Sequence, residues 1–211
     1  MIGEAGRSDA GAFLSRLLRL DPSALVRLRP AGPDRVALWA MLPFRVLVVR
    51  TVDAALETDQ TVAAADLLAG LDRADPLPRR DQDWRWPLPP SGARVVEELP
   101  AREIARVAAA AEATLRSAAT GGVGGRAVGE RALRDALLDH VPIVVTDVDG
   151  DRVEIPQRLV QGIVRMGFLA PFIDITDGHD LVTVRVASGW ISLGAAFGSA
   201  WFHRRSPFRL R

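Results

Sequence analysis

The chain has 211 residues, a net charge of +1, 48% apolar and 25% charged residues, enough material for one domain or two small ones with a buried core. It contains no cysteine, which excludes disulfides, thiolate nucleophiles and cysteine-ligated zinc or iron–sulfur centres. All 27 of its Lys+Arg residues are arginine, so a Walker-type phosphate loop and Schiff-base catalysis, which need lysine, are excluded too.

Charge is unevenly placed. Residues 1–50 carry 8 arginines against 4 acids, residues 51–150 carry 11 against 17, and residues 151–211 carry 8 against 5. This is far from the strongly basic footprint of a nucleic-acid coat protein, so any such binding must be local. The start, MIGEAGRSDAG, has an acid at Glu4 and no long apolar run, unlike an export signal. The most apolar run, VALWAMLPFRVLVV, spans 14 residues and is broken by Pro43 and Arg45, too short to cross a bilayer. A cytoplasmic protein from a GC-rich bacterial genome is the expectation.

In chain order, GAFLSRLLRL spaces Phe13, Leu14, Leu17 and Leu18 as one face of a helix. Asp21-Pro22 reads as an N-cap followed by proline at the first helical position, which predicts a short second helix. RVALWA and FRVLVVRTV are rich in β-branched residues and predict two strands either side of Leu42-Pro43. TVAAADLLAGL predicts a helix ending near Gly70. Leu71 to Gly92 holds five prolines and no period, hence a linker. Trp84 and Trp86 inside it either tether the linker to its neighbours or offer a docking motif to a foreign partner.

Beyond the linker, Ile104, Val107, Ala108, Ala111 and Leu115 share a helical face over Ala101 to Ser117. TGGVGG breaks that helix, and a second is expected from about Ala127 to Asp139. PIVVTDVDGDRVEI reads as a hairpin turning at Asp149-Gly150, the favoured type I′ pair. Pro156 to Met166 predicts a third helix, with Gly167 capping its end. LVTVRVASGWISL predicts another hairpin, turning at Ser188-Gly189.

Little of this points at chemistry. The acids Asp147, Asp149, Asp151 and Glu154 do not make a calcium loop, because Arg152 and Arg158 stand where that loop needs Gly and Glu. GGVGGRAVGE follows a helix and not a strand, so it reads as a loop and not as a dinucleotide fingerprint. His140, His179 and His203 sit on three different elements, Asp177, His179 and Asp180 form a polar loop, and there is no G-x-S-x-G elbow. No catalytic residue, metal or cofactor is expected.

PQRLVQGIVRMGFL is the exception. As a helix it buries Leu159, Val160, Ile163, Val164 and Met166, and it sets Arg158, Gln161, Gly162 and Arg165 along the opposite side. Arginine can pair with guanine and glutamine with adenine, while Gly162 permits close approach to a groove. Three helices followed by a hairpin carrying Arg185 resemble a winged-helix domain over about residues 100–195. The hairpin between the second and third helices departs from that pattern, which has only a short turn there. The resemblance implies contact with double-stranded DNA through Arg158, Gln161 and Arg165, with Arg185 on the wing. Arg204 and Arg205, with Arg209 and Arg211 beyond them, would attract phosphates without sequence preference.

The expected architecture is α+β, with a small N-terminal α+β unit over 1–75, a Pro/Trp-rich linker over 76–95 and a winged-helix-like C-terminal three-helix unit with β-hairpins over 96–211. The expected function is a non-enzymatic DNA-binding or transcription-regulatory protein. The alternative is a protein-interaction or scaffold module, with a protein partner or as a homodimer. It would bind neither nucleic acid nor membrane and would use the apolar WISLGAAFGSAWF hairpin or the Trp84/Trp86 pair as its contact surface.

Overall fold

The computed structural model describes residues 4–73, 76–121, 130–170 and 181–204. The chain runs α1 (Glu4–Leu20), β1 (Leu25–Pro30), β2 (Arg35–Met41), β3 (Leu47–Asp53), β4 (Gln60–Ala63), α2 (Ala64–Ala69) and β5 (Arg94–Pro100). It continues as α3 (Ala101–Gly121), α4 (Glu130–Asp139), β6 (Ile143–Thr146), β7 (Arg152–Ile155), α5 (Gln157–Arg165), β8 (Leu181–Ala187), β9 (Trp190–Ala195) and β10 (Gly198–His203). Eight strands form one antiparallel sheet in the order β4-β1-β2-β3-β10-β9-β8-β5, while β6 and β7 pair with each other.

Period-two alternation decides which side of the sheet is covered. Val26, Leu38, Val48, Ala200, Leu193 and Val184 fall on one side in register and join the core with Leu14, Leu17, Ile104, Leu159 and Ile163 from the helices. Two strands far apart in sequence meet in the middle of the sheet, where Leu47, Val48 and Val49 of β3 pair with Trp201, Ala200 and Ser199 of β10. Phe13 of α1 stacks on Phe168, ring centroids 6.3 Å apart, behind the same seam.

The winged-helix-like expectation for residues 96–211 is overturned. The β8–β9 hairpin, expected to project as a wing, lies inside the sheet between β5 and β10. The three helices do not form a unit of their own, because α3 and α5 pack on that sheet. Three strands escaped the sequence pattern. Near Asp21 the carboxylate accepts hydrogen bonds from the Ser23 amide (2.9 Å) and hydroxyl (2.7 Å), closing a turn instead of capping a helix. The chain then enters β1, burying Val26 and Leu28 between the less buried Arg27 and Arg29. The other two, β4 and β5, bracket the proline-rich segment.

That segment is not free of structure. Arg80 N donates to Thr61 O (2.7 Å) and Asp81 accepts from Thr61 N (2.6 Å), so it runs along β4 and covers that edge of the sheet. Trp84 and Trp86 meet each other edge-on at 5.1 Å, with Trp84 Nε1 donating to Trp86 O.

Both expected turns exist, with different geometry. Ser188 (φ 35°) and Gly189 (φ 83°) make the two-residue type I′ link between β8 and β9. In the β6–β7 hairpin only Gly150 has positive φ (83°), so this is a type I turn closed by a glycine bulge, with Gly150 N donating to Asp147 O. Gly167 (φ 64°) ends α5 as expected: Phe168 N returns to Ile163 O and Gly167 N to Val164 O, a Schellman motif. Among the described residues no helix is long and apolar enough to cross a membrane.

Candidate functional site

Most of the polar stripe of α5 faces inward, while Arg165 at its end is exposed. Gln157, Leu159, Val160, Gln161, Gly162 and Ile163 are all buried, because α5 is enclosed by β9, β10, α3 and α4. Gln161, 4% exposed, donates through Nε2 to Ala108 O of α3 and accepts from Arg165 Nε (3.2 Å). Arg158, with a side chain 12% exposed, pairs with Asp139 of α4. It also donates to Phe44 O (3.0 Å) and lies over the Phe202 ring. Arg165 lies over Phe44. The expected wet face is therefore corrected at Arg158, Gln161 and Gly162, whereas Arg165 does stand exposed. The hydrogen-bonding capacity of these residues is used to fasten a central helix to the β2–β3 turn, α3 and α4.

Two further stretches with candidate chemistry resolve differently. Asp147 holds its own turn together, accepting from the Asp149 and Asp151 amides (both 2.9 Å), and it pairs with Arg94 of β5. The Arg94 guanidinium, and after it the two amides, hold the Asp147 carboxyl below its ordinary range, and Arg94 is raised in return. Asp81 is lowered in the same way, first by Arg79 and then by the Thr61 amide. Among the described residues no group of three or more His, Asp or Glu side chains is placed to hold a metal ion. The glycine-rich loop over 122–129, the Asp177/His179/Asp180 loop and Arg205, Arg209 and Arg211 lie outside the described residues.

The surface that remains is the other side of the sheet. Following the strand register gives two adjacent rows on it. One runs Thr183, Gly194, Ser199, Val49, Trp39 and Arg27. The other runs Arg185, Ser192, Trp201, Leu47 and Met41. None of these residues belongs to the core cluster; Leu47 and Ser192 are nevertheless fully buried, and Trp39, Met41 and Trp201 are half-buried. Small residues in β9 and β10 leave a shallow depression of about 290 Å³, walled by Val49 and Thr51 of β3 and by Leu181, Thr183 and Arg185 of β8. Arg204 is exposed beside a second depression, next to Gly189 and Ser91.

Sequence reasoning named Arg185 and Arg204, and the WISLGAAFGSAWF stretch that holds Ser199 and Trp201, but not Trp39, Thr51 or Thr183. The alternation in RVALWAM and GSAWFH was the available signal. It gives each strand two faces, and only the sheet order tells which outer faces lie side by side.

Comparison with solved structures agrees with this topology. The chain is similar to the beta subunit of DNA polymerase of Streptococcus pyogenes (TM-score 0.57, 12% identity, 96% of this chain and 64% of that one). It is likewise similar to the DNA polymerase sliding clamp of Caulobacter crescentus (0.54, 12%, 97% and 65%). A third is the sliding clamp of Bartonella birtlesii, a DNA polymerase III subunit beta (0.52, 15%, 95% and 64%). The chain thus spans about two thirds of those proteins, and at such identities the likeness shows the fold. It replaces the winged-helix resemblance and removes the basis for reading a winged-helix transcription regulator. No curated protein matches the sequence. A family model described as Domain of unknown function (DUF8010) matches residues 1–86. A second, described as Domain of unknown function (DUF8185), matches residues 88–207, more than half of the chain, and the protein belongs to that family.

Proposed function

We propose that this chain is a non-catalytic interaction scaffold on a sliding-clamp-type frame, with the open side of its eight-stranded sheet as the contact surface for a protein partner. The observation that carries the reading is that open side. Half-buried Trp39, Met41 and Trp201 stand there in register with hydroxyls and arginines. Large amphipathic aromatics flanked by polar groups are the anchors that protein interfaces use. The likeness over 95–97% of the chain to proteins named as DNA polymerase sliding clamps supports a holding role over a bond-making one.

Site-specific photo-crosslinking tests this. A benzophenone amino acid replaces Thr51 or Thr183 on the open side, or Arg106 on the exposed flank of α3, in the cells that make the protein. One recurrent protein adduct from the first two positions and none from Arg106 is the expected result. If that adduct is a second copy of this chain, the partner is a homodimer mate. Adducts from Arg106 alone, or none from the open side, refute the reading. A salt-dependent shift of duplex DNA by the purified chain would replace it with a nucleic-acid role.

A further inference from the structure

This inference rests on the scaffold reading and adds the chemistry of the partner. On the open side of the sheet, Arg185 is, among the described residues, a cation in none of the ion pairs. Arg27 and Arg29 share Asp59, and Arg35 meets Asp53 at the sheet end. Among the described residues no carboxylate pairs with Arg185. Its guanidinium lies across Gly194, where a Cβ would sit 2.5 Å from Nη1, so only glycine leaves room for that pose. Directly opposite Arg185 in register is Ser192, whose buried hydroxyl has no hydrogen-bond partner.

Hydroxyls flank the same spot. Thr183 and Ser199 sit either side of Gly194 in its row. Ser199 Oγ already accepts from Trp201 Nε1 (2.9 Å), which leaves its own proton to donate. A guanidinium with hydroxyl donors beside it matches a carboxylate, which accepts two parallel N–H bonds and more around its remaining lone pairs. Apolar surface adjoins the charge: Leu181 is 41% and Val95 is 55% exposed, and Trp201 stands beyond Ser192. From β8 to β3 the depression spans three strand spacings, roughly 14 Å, the width of one peptide segment with its side chains.

A nucleic-acid backbone fits less well. It presents a charge at every residue and needs several cations along its path, whereas among the described residues Arg185 is the one cation that lines this depression.

We propose that the depression around Arg185 seats an acidic residue of a protein partner. The carboxylate is held by the guanidinium and by the Thr183 and Ser199 hydroxyls, and an apolar neighbour in the partner rests on Trp201 or Leu181.

The test uses the full chain and a phage-displayed library of random peptides. Enriched peptides are expected to share an Asp or Glu beside a large apolar residue. A synthetic peptide of the enriched sequence should bind Arg185→Ala about tenfold more weakly or worse, as for a lost charge-assisted hydrogen bond, and bind Arg106→Ala as it binds the parent. Changing the peptide's acid to its amide should weaken binding to the parent similarly and have no added effect on Arg185→Ala, the signature of a direct pair. Thermal melts establish that each variant is folded. Peptides that lack an acid, or that bind Arg185→Ala as well as the parent but lose binding to Trp201→Ala, overturn the acid seat and leave the scaffold reading standing. A selection with no enriched peptide also overturns the seat, and photo-crosslinking then decides the scaffold reading separately.

Discussion

A methyl group added at Gly162 would lie 2.8 Å from Val46 Cγ1. Two effects oppose each other there. Alanine favours a helix interior over glycine by about 1 kcal/mol, while overpacking a rigid neighbour costs about 1–3 kcal/mol. Val46 is β-branched and fully buried, so it has little freedom to move. Gly162→Ala should therefore lower stability by about 1 kcal/mol net, read from the urea midpoint; a more stable variant would mean that α5 sits less tightly than described. Arg158→Ala should lose about 1–3 kcal/mol, because it orphans Phe44 O, which now accepts from the arginine, and leaves Asp139 without its partner. A loss below about 0.5 kcal/mol would restore Arg158 to the solvent side. The polarity of this stripe was plain in the sequence, but its burial was not. Its partners are 53 residues away at Ala108 and 114 away at Phe44, and no local pattern reveals such satisfaction.

At the scale of elements, the β6–β7 hairpin depends on one turn. Nothing lies within 4 Å of a Cβ built on Gly150, but its φ is +83°. Gly150→Val should therefore cost roughly 1–2 kcal/mol through backbone strain alone, with Gly150→Asn closer to the parent. Asp147 couples this hairpin to β5. Its folded carboxyl titrates below the ordinary 3.8, so the folded state prefers the ionised form. The resulting stability is full above about pH 4 and is lost as the pH falls through the lowered value. Asp147→Asn should therefore melt lower than the parent at neutral pH and converge with it as both are acidified toward about pH 2. A constant gap across that range would show that the Arg94 pair carries no such coupling. Calcium should leave the melting temperature unchanged, since Arg94 and two amides already occupy that carboxylate.

Element by element, the helices α1, α2 and α3, the strands β2 and β3 and both C-terminal hairpins were legible because each contains its own period. β1, β4 and β5 were not. Asp21-Pro22 mimics a helix start, QTVA is only four residues long and runs straight into α2, and RVVEELP carries a bulge between Val95 and Glu97 that breaks its alternation. Losing those three strands hides the sheet. In the C-terminal part, once β5 is lost, what remains is three helices and two hairpins, the last of them without a sheet to join, which is how a winged helix came to be expected.

For the whole molecule, the β3–β10 ladder is the join between the first four strands and the last four. Ending the chain before Gly198 would strip β10 and leave the outward groups of β3 unpaired in the middle of an apolar sheet. Such a truncation should elute as dimers or larger species in size exclusion, at a smaller volume than the full chain, whose volume stays constant. A truncated chain that stays the size of a folded monomer would show that this seam is dispensable. The open side of the sheet, by contrast, was within reach of sequence reasoning only in its WISLGAAFGSAWF part. Trp39 and Trp201 are neighbours through β3 alone, and that adjacency exists only once the order β2-β3-β10 is known.

That same seam sets a schedule for synthesis. Val49 leaves the ribosome about 150 residues before its partner Ser199. At roughly 5–20 residues per second that is a wait of about 8–30 seconds. Throughout it the early strands β1 to β4 can pair among themselves, but β3 keeps one bare flank. The nascent chain therefore spends most of its production time as a half-sheet with an adhesive margin. Its yield in a cell should depend more on how fast the last strand arrives, or on a chaperone shielding that margin, than on the stability of the finished fold.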